Sequence, residues 1–226
     1  MLVPAIYVSD WQSVIGLSQN HSGVYPAIGI HPWEAHNYDC ETLKAALVQA
    51  DTLLKNMPQL HIGEIGLDFD SHTPASRDWQ IHVLQGFLSL AAQHKRLVSV
   101  HLRKAFATFS DLIKTYPSIK GFLHGFSGGT GWAKHFCSEG RFKVGVNGVA
   151  CRTNARRYHQ LIQQLPLTWL VLETDGPFVK LPDNAAFTCA DIQSVAEQIA
   201  QLRNMSVDEV ILQTGHNVNE LLHDSS

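Results

Sequence analysis

Short apolar runs alternate with helical patterns along all 226 residues, and this alternation constrains the fold more than any other feature of the chain. Strand followed by helix, repeated, requires a parallel sheet with helical crossovers, either an open doubly wound sheet or a closed barrel. The candidate strands are residues 2–7, 24–30, 60–65, 97–100, 121–123, 142–146 and 169–172. They are brief, nearly all apolar and rich in Val, Ile and Leu, as strands covered on both faces should be. Between them, residues 40–56, 75–94, 106–116 and 152–165 carry apolar side chains at helical spacing, for example Leu43, Leu47, Leu53 and Leu54. Residues 190–203 and 207–222 read as two further helices, the last opened by a capping box of Ser206 and Glu209. Gly128, Gly129 and Gly131 fall where a short loop should join a strand to a helix. No linker, charge block or repeat divides the chain, so residues 1–226 are expected to form one domain. The dinucleotide fingerprint G-x-G-x-x-G is absent, which weighs against a nucleotide-binding doubly wound sheet. Seven strands are one short of the eight in a (β/α) barrel.

Composition narrows the class of function. Apolar residues make up 45%, enough for a buried core and too many for a disordered chain. Charged residues are only 16%, and the net charge of −3 advertises neither a basic nucleic-acid surface nor an acidic tail. That absence excludes little, because bound metal ions can supply the positive charge a phosphate requires. Cys40, Cys137, Cys151 and Cys189 form no C-x-x-C pair, so a zinc ribbon and a thiol redox motif are both excluded. Reduced cysteines, no signal-peptide pattern and no apolar run near 18 residues together lead to the expectation of a soluble cytoplasmic protein. No membrane or protein partner is expected.

The polar residues are concentrated where the strands end. The second strand runs into Gly29-Ile30-His31-Pro32 and the third into Gly63-Glu64-Ile65-Gly66-Leu67-Asp68. The fourth leads to His101-Leu102-Arg103, the fifth to His124-Gly125-Phe126-Ser127-Gly128, and the last to Leu172-Glu173-Thr174-Asp175-Gly176-Pro177. Each alone has a structural explanation, as a loop histidine or a helix-capping aspartate. Repetition at five equivalent places favours a shared site, because barrels build their active sites where the carboxyl ends of the strands converge. Imidazoles and carboxylates without thiolates suit Zn²⁺, Mn²⁺ or a related divalent ion. The other histidines, the charges at Lys95, Arg96 and Arg152–Arg157, and the packed thiol of Cys151 lack this placement.

At these same stretches the sequence resembles the TatD family of metal-dependent hydrolases, and within it the YjjV-like branch. The motifs run in family order across almost the whole chain, which makes the set far more specific than any member. The resemblance implies a TIM-type (β/α) barrel and a phosphodiesterase, with DNA or another phosphodiester as substrate, working as a monomer. It implies up to two divalent ions, Zn, Mg or Mn. Glu64 would bridge them, His101 and His124 would complete the second site, and Asp175 would bind the first ion and orient or deprotonate the attacking water. His31 and Arg103 would sit near the scissile phosphate, with Asp68 supporting the site and Asn217 structural. Gly176 stands where the family usually has Ala. The family's first strand ends in His-x-His, and this sequence contains no such pair, so its matching begins at the family's second strand and the first metal site is expected to be incomplete. Two other readings stay open on the residues alone: a small-molecule amidohydrolase or lactonase, and a catalytically impaired remnant.

Overall fold

The computed structural model describes residues 1–181 and 188–223. Their contacts group into two compact units, one spanning Met1–Phe122 and the other from Leu123 onward.

In the first unit the order is β1 (Leu2–Pro4), α1 (Trp11–Asn20), β2 (Tyr25–Ile28), α2 (Cys40–Asn56), β3 (His61–Asp68), α3 (Arg77–His94), β4 (Val98–Arg103) and α4 (Phe106–Ile113). Successive strands pair in parallel, with Leu2 opposite Tyr25, Ala27 opposite His61 and Ile62 opposite Val98. Every residue of β3 is buried, which is why its sequence shows no two-residue alternation. Helices α2 and α3 begin where side chains satisfy their first N–H groups. Asp39 accepts from the Thr42 N–H at 2.9 Å while the Thr42 hydroxyl accepts the Asp39 N–H at 2.9 Å, and α2 starts there. From that cap, Leu43, Ala46, Ala50 and Leu54 place one stripe inward. Ser76 accepts the Trp79 N–H at 3.2 Å and opens α3. Trp11, Ile28, Ile30, Leu54, Leu60, Ile62, Ile65, Leu67, Phe87 and Phe109 are among the large side chains buried completely in this unit.

Two strands of the first unit run further than their apolar residues suggest. β3 continues through Asp68 and β4 through Arg103, so Asp68, His101 and Arg103 belong to strands rather than to loops. Pairing of β3 with β4 shifts register between Ile62 and Ile65, and that irregularity brackets Glu64. Such bulges re-aim one side chain without ending the strand. Gly63 lies inside it at φ 157°, with the Ser99 Cβ only 2.7 Å from where its own Cβ would be. Helix α1 was not marked out by the sequence pattern. It buries only Trp11, Val14 and Ile15, too few to write a periodic stripe.

The second unit contains α5 (Thr130–Cys137), β6 (Phe142–Val146), α6 (Arg156–Gln164), β7 (Leu170–Leu172), α7 (Ile192–Arg203) and α8 (Val207–His223), while β5 (Gly121–His124) contributes Leu123 and His124 to it. β6 and β7 pair in parallel, with Val144 opposite Leu170. The glycine-rich stretch leads directly into α5, whose N-cap is Gly129. The Ser206–Glu209 capping box is formed, with Glu209 Oε2 2.8 Å from the Ser206 N–H and the Glu209 N–H donating to Ser206 Oγ at 3.2 Å. Asn217 is buried and donates through Nδ2 to the carbonyls of Leu167 (2.8 Å) and Leu170 (2.7 Å), tying α8 to the start of β7. Among the described residues no helix is long and apolar enough to cross a membrane.

Candidate active site

Each unit brings a set of the expected side chains together. In the first, one candidate ligand atom from each of His31, Glu64 and His101 lies within 4.8 Å of the others, and no other set of three or more metal-ligating side chains meets that mutual limit among the described residues. His31 Nε2 and His101 Nδ1 both lie 3.4 Å from Glu64 Oε1, and the two imidazole centroids are 4.5 Å apart. His31 and Glu64 are 3% and 6% exposed, so water does little to screen the carboxylate. The backbone fixes both: the His31 N–H bonds to the Ile6 carbonyl at 3.1 Å and the Glu64 N–H to the Ala5 carbonyl at 2.9 Å. Two imidazoles and a carboxylate in a buried setting are a donor set for a borderline divalent cation.

Hydrogen bonds distinguish the two histidines. The Trp33 backbone N–H donates to His31 Nδ1 at 3.2 Å, so neutral His31 carries its proton on Nε2, the atom facing Glu64. In this tautomer His31 donates a hydrogen bond through Nε2 rather than offering a lone pair to a metal. His101 Nε2 lies 3.2 Å from Asp68 Oδ2, and a proton held there leaves the Nδ1 lone pair facing Glu64. A carboxylate behind an imidazole is the common support for a metal-binding histidine. Burial alone would lower the pKa of His101, but its bonds to Asp68 and Glu64 outweigh burial and raise it.

Asp68 organises this unit's site. It is 1% exposed and accepts from the Trp33 indole Nε1–H at 2.8 Å, the Asp70 N–H at 2.9 Å and His101. Burial opposes its ionisation, yet the bonds from His101, Asp70 and Trp33 prevail and hold its carboxyl below the usual carboxylate range. Arg103 stands apart from the three-residue cluster: its Nε donates to Asp70 Oδ2 at 3.0 Å, and Lys104 Nζ reaches the same oxygen at 3.0 Å. Lys104 and Arg103 pull the Asp70 carboxyl down to about 2.

In the second unit, His124 lies between two carboxylates. Its Nδ1 is 2.9 Å from Glu173 Oε2 and its Nε2 is 3.0 Å from Asp175 Oδ1. Glu173 Oε1 also accepts the Gly125 N–H at 2.7 Å, and Asn147 Nδ2 donates to Asp175 Oδ2 at 3.2 Å. With the His124 proton on Nδ1 toward Glu173, the Nε2 lone pair faces Asp175 Oδ1. A separation of about 3 Å suits adjacent ligands of one divalent ion at bond lengths near 2.1 Å. Tyr158 accepts the Asn147 N–H at 3.2 Å and donates to the Gly145 carbonyl at 3.3 Å. Burial, with Glu173 and Asp175 nearby, raises its pKa, so it stays a neutral donor.

Trp33, Asp70, Lys104, Asn147 and Glu173 were not singled out from the sequence. Only Glu173 left a usable signal. It precedes Asp175 by two positions, and its backbone N–H continues the β6–β7 pairing by donating to the Val146 carbonyl at 3.0 Å. Asp175 itself leaves the extended backbone at φ 55°, and both carboxylates still reach the two ring nitrogens of His124.

A parallel β/α chain with histidines and carboxylates on its strands and at their carboxyl ends belongs to the class of metal-dependent hydrolase barrels. The profile of the TatD related DNase family matches residues 1–223, and the chain belongs to that family. It is similar to the 3'-5' ssDNA/RNA exonuclease TatD of Erwinia amylovora, 28% identical over 98% of this chain and 87% of that protein. It is likewise similar to the uncharacterized metal-dependent hydrolase YjjV of Escherichia coli K12, 29% identical over 93% of this chain and 81% of that one. The crystal structure of the E. coli K12 YjjV, a TatD homologue, superposes with a TM-score of 0.86 at 29% identity, covering 97% of this chain and 85% of that one. The TIM-type barrel class expected from the sequence is therefore the fold class of this chain.

Proposed function

We propose that this protein hydrolyses phosphodiester bonds in nucleic acid, DNA foremost, with the help of divalent metal ions. The observation carrying this reading is the His31–Glu64–His101 cluster, with His31 and Glu64 buried, in a chain of the TatD related DNase family. Relatives named as a ssDNA/RNA exonuclease and as a metal-dependent hydrolase support the substrate class and the need for metal. The small-molecule amidohydrolase reading has no comparable support.

Glu64 and His101 would hold a divalent ion, with His124 and Asp175 as the second unit's ligands; Zn²⁺, Mn²⁺ and Mg²⁺ all suit a nitrogen and carboxylate set to differing degrees. When bound, up to two such ions would supply positive charge to the phosphoryl oxygens and make a water more acidic. The remaining chemistry falls to the side chains. His31, its proton on Nε2 and its Nδ1 occupied by Trp33, would donate to a phosphoryl oxygen. Arg103 would bind the phosphate backbone, its guanidinium oriented by Asp70. Asp175, one oxygen held by Asn147, would accept a proton from the attacking water. Residues 1–226 would act as one catalytic domain. Four unpaired cysteines agree with a reducing, cytoplasmic setting.

The test is hydrolysis of a labelled DNA oligonucleotide with and without chelator. Cleavage should vanish with chelator, return with added divalent ion, and fall at least ~100-fold in Glu64→Gln and His101→Ala, as expected when interactions of several kcal/mol are removed. Metal-dependent turnover of esters or lactones with none of DNA would refute the proposal.

A further inference from the structure

Trp33 has one of the more exposed large side chains in the chain, at 40%, yet it stands beside the most buried polar residues. Its ring centroid is 4.5 Å from that of His31 and 5.8 Å from that of His101. The indole Nε1–H is tied to Asp68 Oδ2 at 2.8 Å, while the backbone N–H of the same residue is tied to His31 Nδ1. Two anchors hold the ring in one orientation, so a partner stacking on it would not have to order it first.

The other oxygen of Asp68 accepts the Asp70 N–H, and Asp70 Oδ2 gathers Arg103 Nε and Lys104 Nζ, each at 3.0 Å. The Arg103 and Lys104 side chains are 55% and 62% exposed. One buried carboxylate thus holds a fixed aromatic ring on one side and, on the other, Asp70, which gathers two cations from the end of β4. Against the single charge of Asp70, the Arg103–Lys104 pair leaves this group net positive. Rings that stack on bases beside cations that track a sugar-phosphate backbone are the pairing by which proteins hold single-stranded nucleic acid.

We propose that Trp33 is a stacking platform for one unpaired base of the substrate next to the scissile phosphate, with Lys104 joining Arg103 on the backbone. This rests on the phosphodiesterase reading above and assigns to one residue the selection of exposed bases that a single-stranded substrate, as in the name of the Erwinia amylovora relative, requires. Inside a duplex both faces of each base are already covered, so the platform serves only single strands or frayed ends.

The experiment measures binding of a fluorescent phosphorothioate oligothymidylate to the full-length protein by anisotropy, for the wild type, Trp33→Ala and Trp33→Phe. An abasic unit is stepped along the strand in parallel. Stacking contributes on the order of tenfold in affinity per base. Trp33→Ala should weaken binding by about that factor, while Trp33→Phe, which keeps a ring face and loses the N–H, should recover most of it. In the wild type a single abasic position should carry a similar penalty, and that penalty should disappear in Trp33→Ala. The inference is overturned if Trp33→Ala binds like the wild type, if Trp33→Phe loses as much as Trp33→Ala, or if the abasic penalty survives in Trp33→Ala. A wild type that neither binds nor cleaves oligothymidylate overturns the phosphodiesterase reading as well, which separates the two failures. Abasic scanning on the wild type stands even if a variant fails to fold.

Discussion

Replacing Gly145 with Ala strikes the second unit's site at a point where the structure leaves no room. A Cβ at that position would lie well inside contact distance of Glu173 Oε2, 2.5 Å from its Cδ and 2.9 Å from its Oε1. The obstacle is the end of a flexible side chain, so the carboxylate would retreat, by about 1 Å to reach ordinary contact. A retreat of that size breaks the 2.9 Å approach to His124 Nδ1 and the 2.7 Å bond from the Gly125 N–H. Bonds to a charged acceptor contribute about 1.5–3 kcal/mol each. Alanine in a strand recovers about 0.5–1 kcal/mol of backbone entropy. The net loss should be about 2–5.5 kcal/mol, or roughly 4–22 °C in Tm for a chain of this size. Function should suffer more, since His124 would lose the partner that fixes its proton on Nδ1, and divalent-ion affinity should fall about 10–100-fold. Thermal unfolding and metal titration of Gly145→Ala read the two effects. Repeating the substitution in a Glu173→Ala background closes a double-mutant cycle, in which Gly145→Ala should become neutral or slightly stabilising. If Gly145→Ala melts and binds metal like the wild type, or costs the same without Glu173, then Glu173 does not orient His124.

Three further predictions concern stability. Burial, with a smaller contribution from Arg96, lowers His61 from 6.5 to about 4. Between those values the unfolded chain takes a proton that the folded one refuses, so stability should fall as pH drops from about 6.5 to 4, by up to about 3 kcal/mol, with no further loss from this group below; denaturation of the wild type and His61→Gln across that range should diverge, and parallel curves would contradict the assignment. Lys95 ends α3 at φ 53°, a left-handed cap that glycine adopts without strain, so Lys95→Gly should stabilise by about 0.5–1 kcal/mol in urea unfolding. Asn217→Leu would leave the carbonyls of Leu167 and Leu170 without their donor and should cost about 2–4 kcal/mol in the same assay, while an unchanged midpoint would show that water replaces the amide.

The amino-acid sequence by itself determined the order of elements and the chemical identity of the expected site. Strand and helix periods are local properties, so β6 at Phe142–Val146 and α2 at Cys40–Asn56 occupy the very residues whose pattern announces them. The motifs around His31, Glu64, His101, His124 and Asp175 lie beside apolar runs, and a residue next to a run can be read without knowing what the run packs against. Strand ends were less legible: Asp68 and Arg103 look like loop residues, and only pairing of β3 with β4 keeps them in strands.

Tertiary structure alone decided the roles. The proton position on His31 depends on a bond from the Trp33 backbone, and that of His124 on a glutamate 49 positions away along the chain. Gly145 is required by Glu173, which lies 28 residues later, and Trp33 is fixed by Asp68 across 35 residues. Hydrogen bonds and steric limits act between atoms within about 3 Å, whereas the sequence pattern records only which residues prefer to be buried and at what period. Glu64 is therefore recognisable as an acid in an apolar strand from its neighbours in the chain. That it shares one buried space with His31 and His101 follows only when β2, β3 and β4 are laid side by side.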